Sequence, residues 1–462
     1  ARRRCIIGRR DLLVSGSMDA TFDPYALFTD ALKRAHRGSP AWHTVLAGRM
    51  VLESAEDCIA PRRPRRRPGV RRMDALRRAV ALVPSPLMRM ALSGVVDTLQ
   101  GFVPTESTLI AMVAYAQRLH KSGAFDLAIA VYRRIVDCAA SCQGFDLATA
   151  HLRLGYCLRE SGDFTGADTE FELGMVWAMR YGETRAGLNL KIARASLACM
   201  RGNVDDAESW TTAALVSAEA LGDPCLIARA AHERGNAARE RRQFVDALRF
   251  HERAMQAVSL WLRTGDPAAR EAQNRLLADI GVVFYRMGLY DHARSACQTV
   301  FLTARERSVR WAACINLLAL AAADNHRDSF EQHRTTLERT PLPARLLAIY
   351  LEELGDGLMA FNEPDTARDA YMRLARLAER HGLTAAARRA FDALRGAPRD
   401  EAVIVPRTDD VPAEVAAFVV AVGQLSDLSQ RLAAGRGDFN VTAGTLATRL
   451  RRGRRPLITL PR

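Results

Sequence analysis

Residues 233–254 read ERGNAARERRQFVDALRFHERA. Within this stretch Phe244, Ala247, His251 and Ala254 stand at offsets 0, 3, 7 and 10, and Met255 and Val258 continue the series at 11 and 14. A helix of about 3.6 residues per turn carries all six side chains on one face. Glu233, Asn236 and His251 are then either a reactive cluster or one turn of a repeated scaffold. The rest of the chain decides between the two.

The offsets recur. Phe125, Ala128, Tyr132, Ile135, Val136 and Ala139 follow them, as do Phe164, Ala167, Phe171, Gly174, Met175 and Ala178. Val204, Ala207, Thr211, Ala214, Leu215 and Ala218 keep the pattern more weakly, and Tyr290, Ala293, Cys297, Val300, Phe301 and Ala304 keep it clearly. Pro364, Ala367, Tyr371, Leu374, Ala375 and Ala378 close the series, with room for one degenerate unit near His326. Seven units result, each preceded by a second helical stretch, at 107–120, 147–160, 186–200, 226–241, 273–287, 309–323 and 344–361. Turns such as KSGAF, ESGDF, MRGNV and RMGLY separate the two helices, and Gly123, Gly162, Gly202 and Gly288 can take the left-handed conformation that ends a helix. Such hairpins are too thin to bury both apolar faces alone, so neighbours must stack into an all-α solenoid.

On these residues the chain resembles the tetratricopeptide repeat family, in its variant of about forty residues per repeat. Gly155, Gly235, Gly281 and Gly355 match the family's first-helix glycine. Ala128, Ala167, Ala207, Ala247, Ala293 and Ala367 match its small second-helix residue, and Tyr132, Phe171 and Tyr371 match its aromatic. The opening stretch is similar to the L-G-N-x-Y…F-x-x-A-x-x-x-H repeats of kinesin-light-chain arrays. The family tryptophan near the start of the first helix is absent, and the sixth unit lacks both aromatic and alanine. The resemblance, over roughly 105–395, implies a right-handed superhelix whose first helices line a concave, partner-binding surface. His251 then takes an aromatic's slot and reads as a packed, hydrogen-bonded core histidine.

What the resemblance implies about binding falls on polar first-helix residues: Arg153, Tyr156 and Arg159; Asn189; Arg229, His232, Asn236 and Arg239; and Asn274, Arg275, Asp279 and Tyr285. An asparagine amide can donate to and accept from a partner's backbone, and arginine can fork a carboxylate. Val113 and Gln117 stand where chaperone-binding members carry a Lys and an Asn, which argues against capture of a chaperone tail.

The 462 residues carry a net charge of +14, but its distribution is uneven. Residues 1–100 hold 19 Lys/Arg against 9 Asp/Glu, residues 101–400 hold 38 against 37, and residues 401–462 hold 9 against 6. Only the ends are basic, in CIAPRRPRRRPGVRR (58–72) and RLRRGRR (449–455). Neither run interleaves aromatics for base stacking, so each reads first as a solvated segment and second as a contact for nucleic acid or an acidic partner. Only three of the basic residues are lysines, an imbalance of the kind a GC-rich bacterial genome produces. The nine cysteines form no C-x-x-C pair and suggest a reducing, cytoplasmic setting. No stretch of about 18 apolar residues is present to span a membrane. ARRRCIIGRRDLLVSG is too short and too broken by arginines for a secretory signal.

The expected organisation is a basic region with short helices over 1–72, a helical cap at 73–104, the array at 105–397, and a linker, helix and basic tail over 398–462. Individual helices are expected near 24–36, 41–56, 73–83, 86–100 and 412–434, the last able to fold back as a C-terminal cap. No G-x-x-x-x-G-K-[ST], G-x-S-x-G or H-E-x-x-H occurs, so the sequence predicts no enzyme, catalytic residue, metal or cofactor. The function it predicts is a scaffold that binds a partner peptide or helix. The alternatives are the peptide-sensing half of a bacterial regulator and nucleic-acid binding through the arginine runs. A regulator would need a helix-turn-helix ahead of the repeats, and residues 1–72 offer none that convinces.

Overall fold

The computed structural model describes residues 24–59, 68–100, 105–139, 142, 145–396 and 407–434. Both arginine runs, apart from the ends of the first, and most of the 398–411 linker lie outside the described residues. The described residues form twenty α-helices and no strand. They divide into two compact units, one running to Tyr115 and the other from Ala116.

The first unit holds α1 (Pro24–Arg34), α2 (Pro40–Ile59), α3 (Val70–Ala81), α4 (Pro86–Thr98) and the start of α5 (Thr105–Lys121). Phe28, Val51, Leu52, Leu76 and Leu92 are buried around α2. The break at VPSP has a local cause, since Pro86 opens α4 and the Ser85 hydroxyl accepts the Met88 amide. Tyr115 of α5 covers Gly48 of α2, where a Cβ would strike its hydroxyl.

From α5 onward six second helices begin at the residues the sequence offsets select, α6 (Phe125–Ala139), α8 (Phe164–Tyr181), α10 (Val204–Ala220), α12 (Phe244–Leu262), α14 (Tyr290–Thr303) and α18 (Pro364–His381), and a seventh, α16 (Arg327–Glu338), begins beside His326, where the degenerate unit was expected. Their first-helix partners after α5 are α7 (Leu147–Ser161), α9 (Thr184–Arg201), α11 (Pro224–Glu240), α13 (Pro267–Arg286), α15 (Arg307–Ala323) and α17 (Ala344–Ala360). In all seven turns the residue two before the second helix has positive φ. Gly123, Gly162, Gly202 and Gly288 supply it as expected, while Arg242, Asn325 and Asn362 supply it without glycine. That shared geometry fixes the sixth unit at α15–α16.

The offset face is the core. Phe125, Phe164 and Tyr290 are buried, Phe244 is half-buried, and Ala128, Ala167, Ala207, Ala247, Ala293 and Ala367 are fully buried. The first-helix glycine has a direct cause. A Cβ on Gly155 would lie 2.6 Å from Cδ1 of Phe171, and one on Gly355 would lie 2.7 Å from Cζ of Tyr371. In these two hairpins the aromatic of the second helix fills the space that a first-helix side chain would need.

The array curls until distant hairpins touch. The turn at Gly162 approaches His381 and Ala344, and that at Gly123 approaches Trp311. A half-hairpin, α19 (Thr384–Leu394), follows α18 and packs against it, so the end of the array is covered by a helix that the seven-unit reading did not resolve. The expected C-terminal cap lies elsewhere. Helix α20 (Ala416–Ala433) lies on α14, in the middle of the array. Phe418, Val419, Val422 and Leu425 join the core there, Thr299 donates to the Ser426 carbonyl, and the Thr408 amide donates to Gly288. No described helix is long and apolar enough to cross a membrane.

Candidate functional site

The inner helices α7, α9, α11 and α13 carry the polar residues at spacings of three and four, which sets them in rows along each helix. On α7, Arg153, Tyr156 and Arg159 follow one another at intervals of three. Arg229 of α11 reaches across α9 and donates to both Tyr156 Oη and Asn189 Oδ1. Its guanidinium lies 5.8 Å from the centre of the Tyr156 ring, and that of Arg159 lies 5.1 Å from the same centre. Three successive inner helices thus converge on Arg229.

Arg159 also donates to Ser196 at 3.1 Å and to Glu160 at 2.9 Å. Glu160 in turn receives Arg345 of α17 at 3.0 Å, a bond between residues 185 apart in the chain. Burial would raise the Glu160 pKa, but Arg345 and Arg159 outweigh it and bring the carboxyl down to about 2. Arg275 of α13 pairs with Glu306. His120 of α5 feels Glu160, Glu306, Arg275 and Arg153 together, but burial dominates and lowers its pKa to about 4, leaving it neutral.

A second cluster spans α11 and α13. His232 lies 2.6 Å from Asp279, and Arg239 donates to Asp279 at 3.4 Å and to Glu240 at 2.8 Å. Burial opposes the charge on His232, yet the hydrogen bond and proximity of Asp279 raise its pKa. Asp279 is driven well below the usual carboxylate range against its own burial, first by His232 and then by Arg239. Asn236 donates to Glu233 at 3.3 Å and reaches toward Asp279 at 3.5 Å, while its buried Oδ1 has no partner.

His251 sits fully buried in the aromatic slot, edge-on to His232 at 5.6 Å between ring centres. The expectation that it is packed holds, whereas the expectation that it is hydrogen-bonded does not. Neither ring nitrogen has a partner: Gly235 of α11 lies against one side of the ring and His232 meets it edge-on, and neither supplies a hydrogen bond. Burial, followed by the repulsion of His232, lowers its pKa to about 3.

The remaining named residues are dispersed. Arg153 is exposed and makes no hydrogen bond or ion pair with any of the described residues. Asn274 is 5% exposed and turns toward α14, where its Oδ1 accepts from Thr303 at 3.0 Å. Tyr285 is buried and stacks on Tyr290 at 5.6 Å, with Arg286 against its ring. Glu160, Ser196, Glu306 and Arg345 were not singled out by the sequence. Glu160 lies one turn beyond Tyr156 and was accessible to the same reasoning, but Arg345 had no local signal at all.

No known family model and no curated protein matches the chain by sequence. Solved structures match it by fold. The Rap conjugation gene regulator of the plasmid pLS20, in complex with the Phr* peptide, superposes with a TM-score of 0.50 at 11% identity, over 72% of this chain and 97% of that one. The fold resembles that of Rap proteins. A second Rap protein, complexed with Competence and Sporulation Factor, gives a TM-score of 0.49 at 12% identity, over 74% and 99% of the two chains. At 11% identity the likeness to the pLS20 regulator bears on the fold alone, an all-helical array of the tetratricopeptide-like kind.

Proposed function

We propose that the array is a non-enzymatic scaffold that binds a short peptide or partner helix along its inner helices. The observation that carries this reading is the convergence of Tyr156, Asn189 and Arg229 from three successive inner helices. The half-buried Asn236 two turns further along α11 supports it, because an asparagine amide suits an extended backbone. An array of similar fold, the pLS20 Rap regulator, is seen with a peptide, which supports the same use here. The roughly forty-residue spacing favours kinship with kinesin-light-chain-type repeats, the excess of arginine over lysine favours a bacterial source, and the unbridged cysteines of the described residues favour a cytoplasmic setting.

A second reading is favoured by the separate helical unit ahead of the array. A peptide-sensing array coupled to such a unit would be the sensory half of a regulator, with the unit as its output. The first reading is tested by affinity selection from a random heptapeptide pool, read by mass spectrometry. Wild-type protein is expected to enrich a defined subset, and the Asn236→Ala/Arg239→Ala variant to lose it. Equal enrichment by both would remove the α11 face from the binding surface.

A further inference from the structure

Most inner-face arginines of the array are neutralised by carboxylates. Arg159 and Arg345 share Glu160, Arg275 has Glu306, and Arg239 has Asp279 and Glu240. Arg153 and Arg229 stand apart, for no carboxylate of the described residues lies within ion-pair reach of either. Arg229 is half-buried, and the bonds that fix it go to two neutral oxygens, Tyr156 Oη and Asn189 Oδ1. A guanidinium carries five N–H donors in a planar fork, so those two bonds orient the group and leave donors free. Arg153 lies one turn before Tyr156 on the same row of α7.

The surroundings reinforce the imbalance. Arg153, Arg159, Arg229, Arg275 and Arg345 gather around this stretch of the inner face, and the carboxylates that act on them, Glu160, Glu306, Glu271 and Glu233, bear on Arg159, Arg275 and Arg345 rather than on Arg153 or Arg229. His120, held neutral, adds no charge. A half-buried cation bound to neutral acceptors keeps most of its attraction for an anion, and the Tyr156 and Asn189 contacts have already fixed its orientation.

We infer that Arg153, Arg229 and Tyr156 form an anchoring subsite for a carboxylate of the bound peptide, either its C-terminus or an Asp or Glu side chain. The inference rests on the peptide-binding reading above and adds to it the chemistry of the ligand. Bidentate pairing with Arg229 and longer-range attraction from Arg153 would fix one end of the peptide at α7–α11. The rest of the chain would then run toward Asn236 and α13.

The test uses the full chain and four random heptapeptide pools: free acid or C-terminally amidated, each with or without Asp and Glu. The pool lacking both kinds of carboxylate is expected to be captured about tenfold less well or worse, the scale of a lost charge-assisted bidentate contact. Whichever intermediate pool keeps its capture identifies the source of the carboxylate. Arg229→Gln should lose the preference for carboxylate pools, and Arg153→Gln, an exposed and unpaired site that leaves packing untouched, should weaken it measurably. Equal capture of all four pools by wild type overturns the anchor and leaves peptide binding standing. Capture of no pool overturns both.

Discussion

Replacing His251 with phenylalanine tests the account of the core most directly. The imidazole is 0% exposed, and in its neutral form one nitrogen carries a proton and the other a lone pair, neither of which finds a partner. An unsatisfied buried polar group costs about 1–3 kcal/mol, which the substitution removes. Phenylalanine should fit, because Phe171 and Tyr371 occupy the equivalent slot over Gly155 and Gly355 as His251 does over Gly235. The pH dependence gives a sharper number. The folded pKa is about 3 against an ordinary 6.5, so the unfolded chain binds the extra proton and stability falls as the pH drops below 6.5. At about 1.4 kcal/mol per pH unit, the loss attributable to His251 between pH 7 and pH 5 is about 1.9 kcal/mol. His120 behaves in the same sense, so His251→Phe should reduce the slope rather than abolish it. Urea unfolding followed by helical circular dichroism at both pH values measures both effects. An unaltered slope, or a loss above about 1 kcal/mol at pH 7, would refute the reasoning.

Two other perturbations address the hairpin contact and the closure of the array. Gly155→Ala should destabilise by about 1–3 kcal/mol despite alanine's better helix propensity, because its Cβ would press on the Phe171 ring. Adding Phe171→Leu should recover part of that loss, and additive effects would show that the two residues do not share the contact. Arg345→Ala removes one of two cations holding Glu160, at a cost of about 1–3 kcal/mol, below that of a fully isolated buried charge because Arg159 remains. Glu160's lowered pKa contributes stability that is present above 4.5 and lost as the pH falls through about 2. Arg345→Ala should therefore flatten the acid limb of an unfolding profile, and a limb as steep as wild type would show that the bond does not hold the array closed.

Six of the seven second-helix start points, the all-helical class and the stacked hairpins were legible in the chain, because each follows from spacings of three, four and seven within one helix and one turn. The same locality explains the gaps. Arg242, Asn325 and Asn362 do the work of glycine in their turns, which a search for glycine passes over, although Asn tolerates that conformation best among other residues. In the sixth unit Phe330 enters the core at another offset and lies against Gly357 of the next hairpin, so its aromatic is present but displaced. Other features depend on pairs that no local spacing encodes. Whether His251 found a hydrogen bond was set by the walls that α11 builds around it. The join of Glu160 to Arg345 depends on how far the array curls, a sum of small rotations at every hairpin contact. The seat of α20 depends on which outer helix leaves a matching apolar face, and that was α14. Sequence periodicity determined the repeating unit because backbone geometry is the same in every repeat. Curvature, charge pairing across the curl and the vacant cations at Arg153 and Arg229 were decided by tertiary structure, because each depends on residues that meet only when distant helices stack.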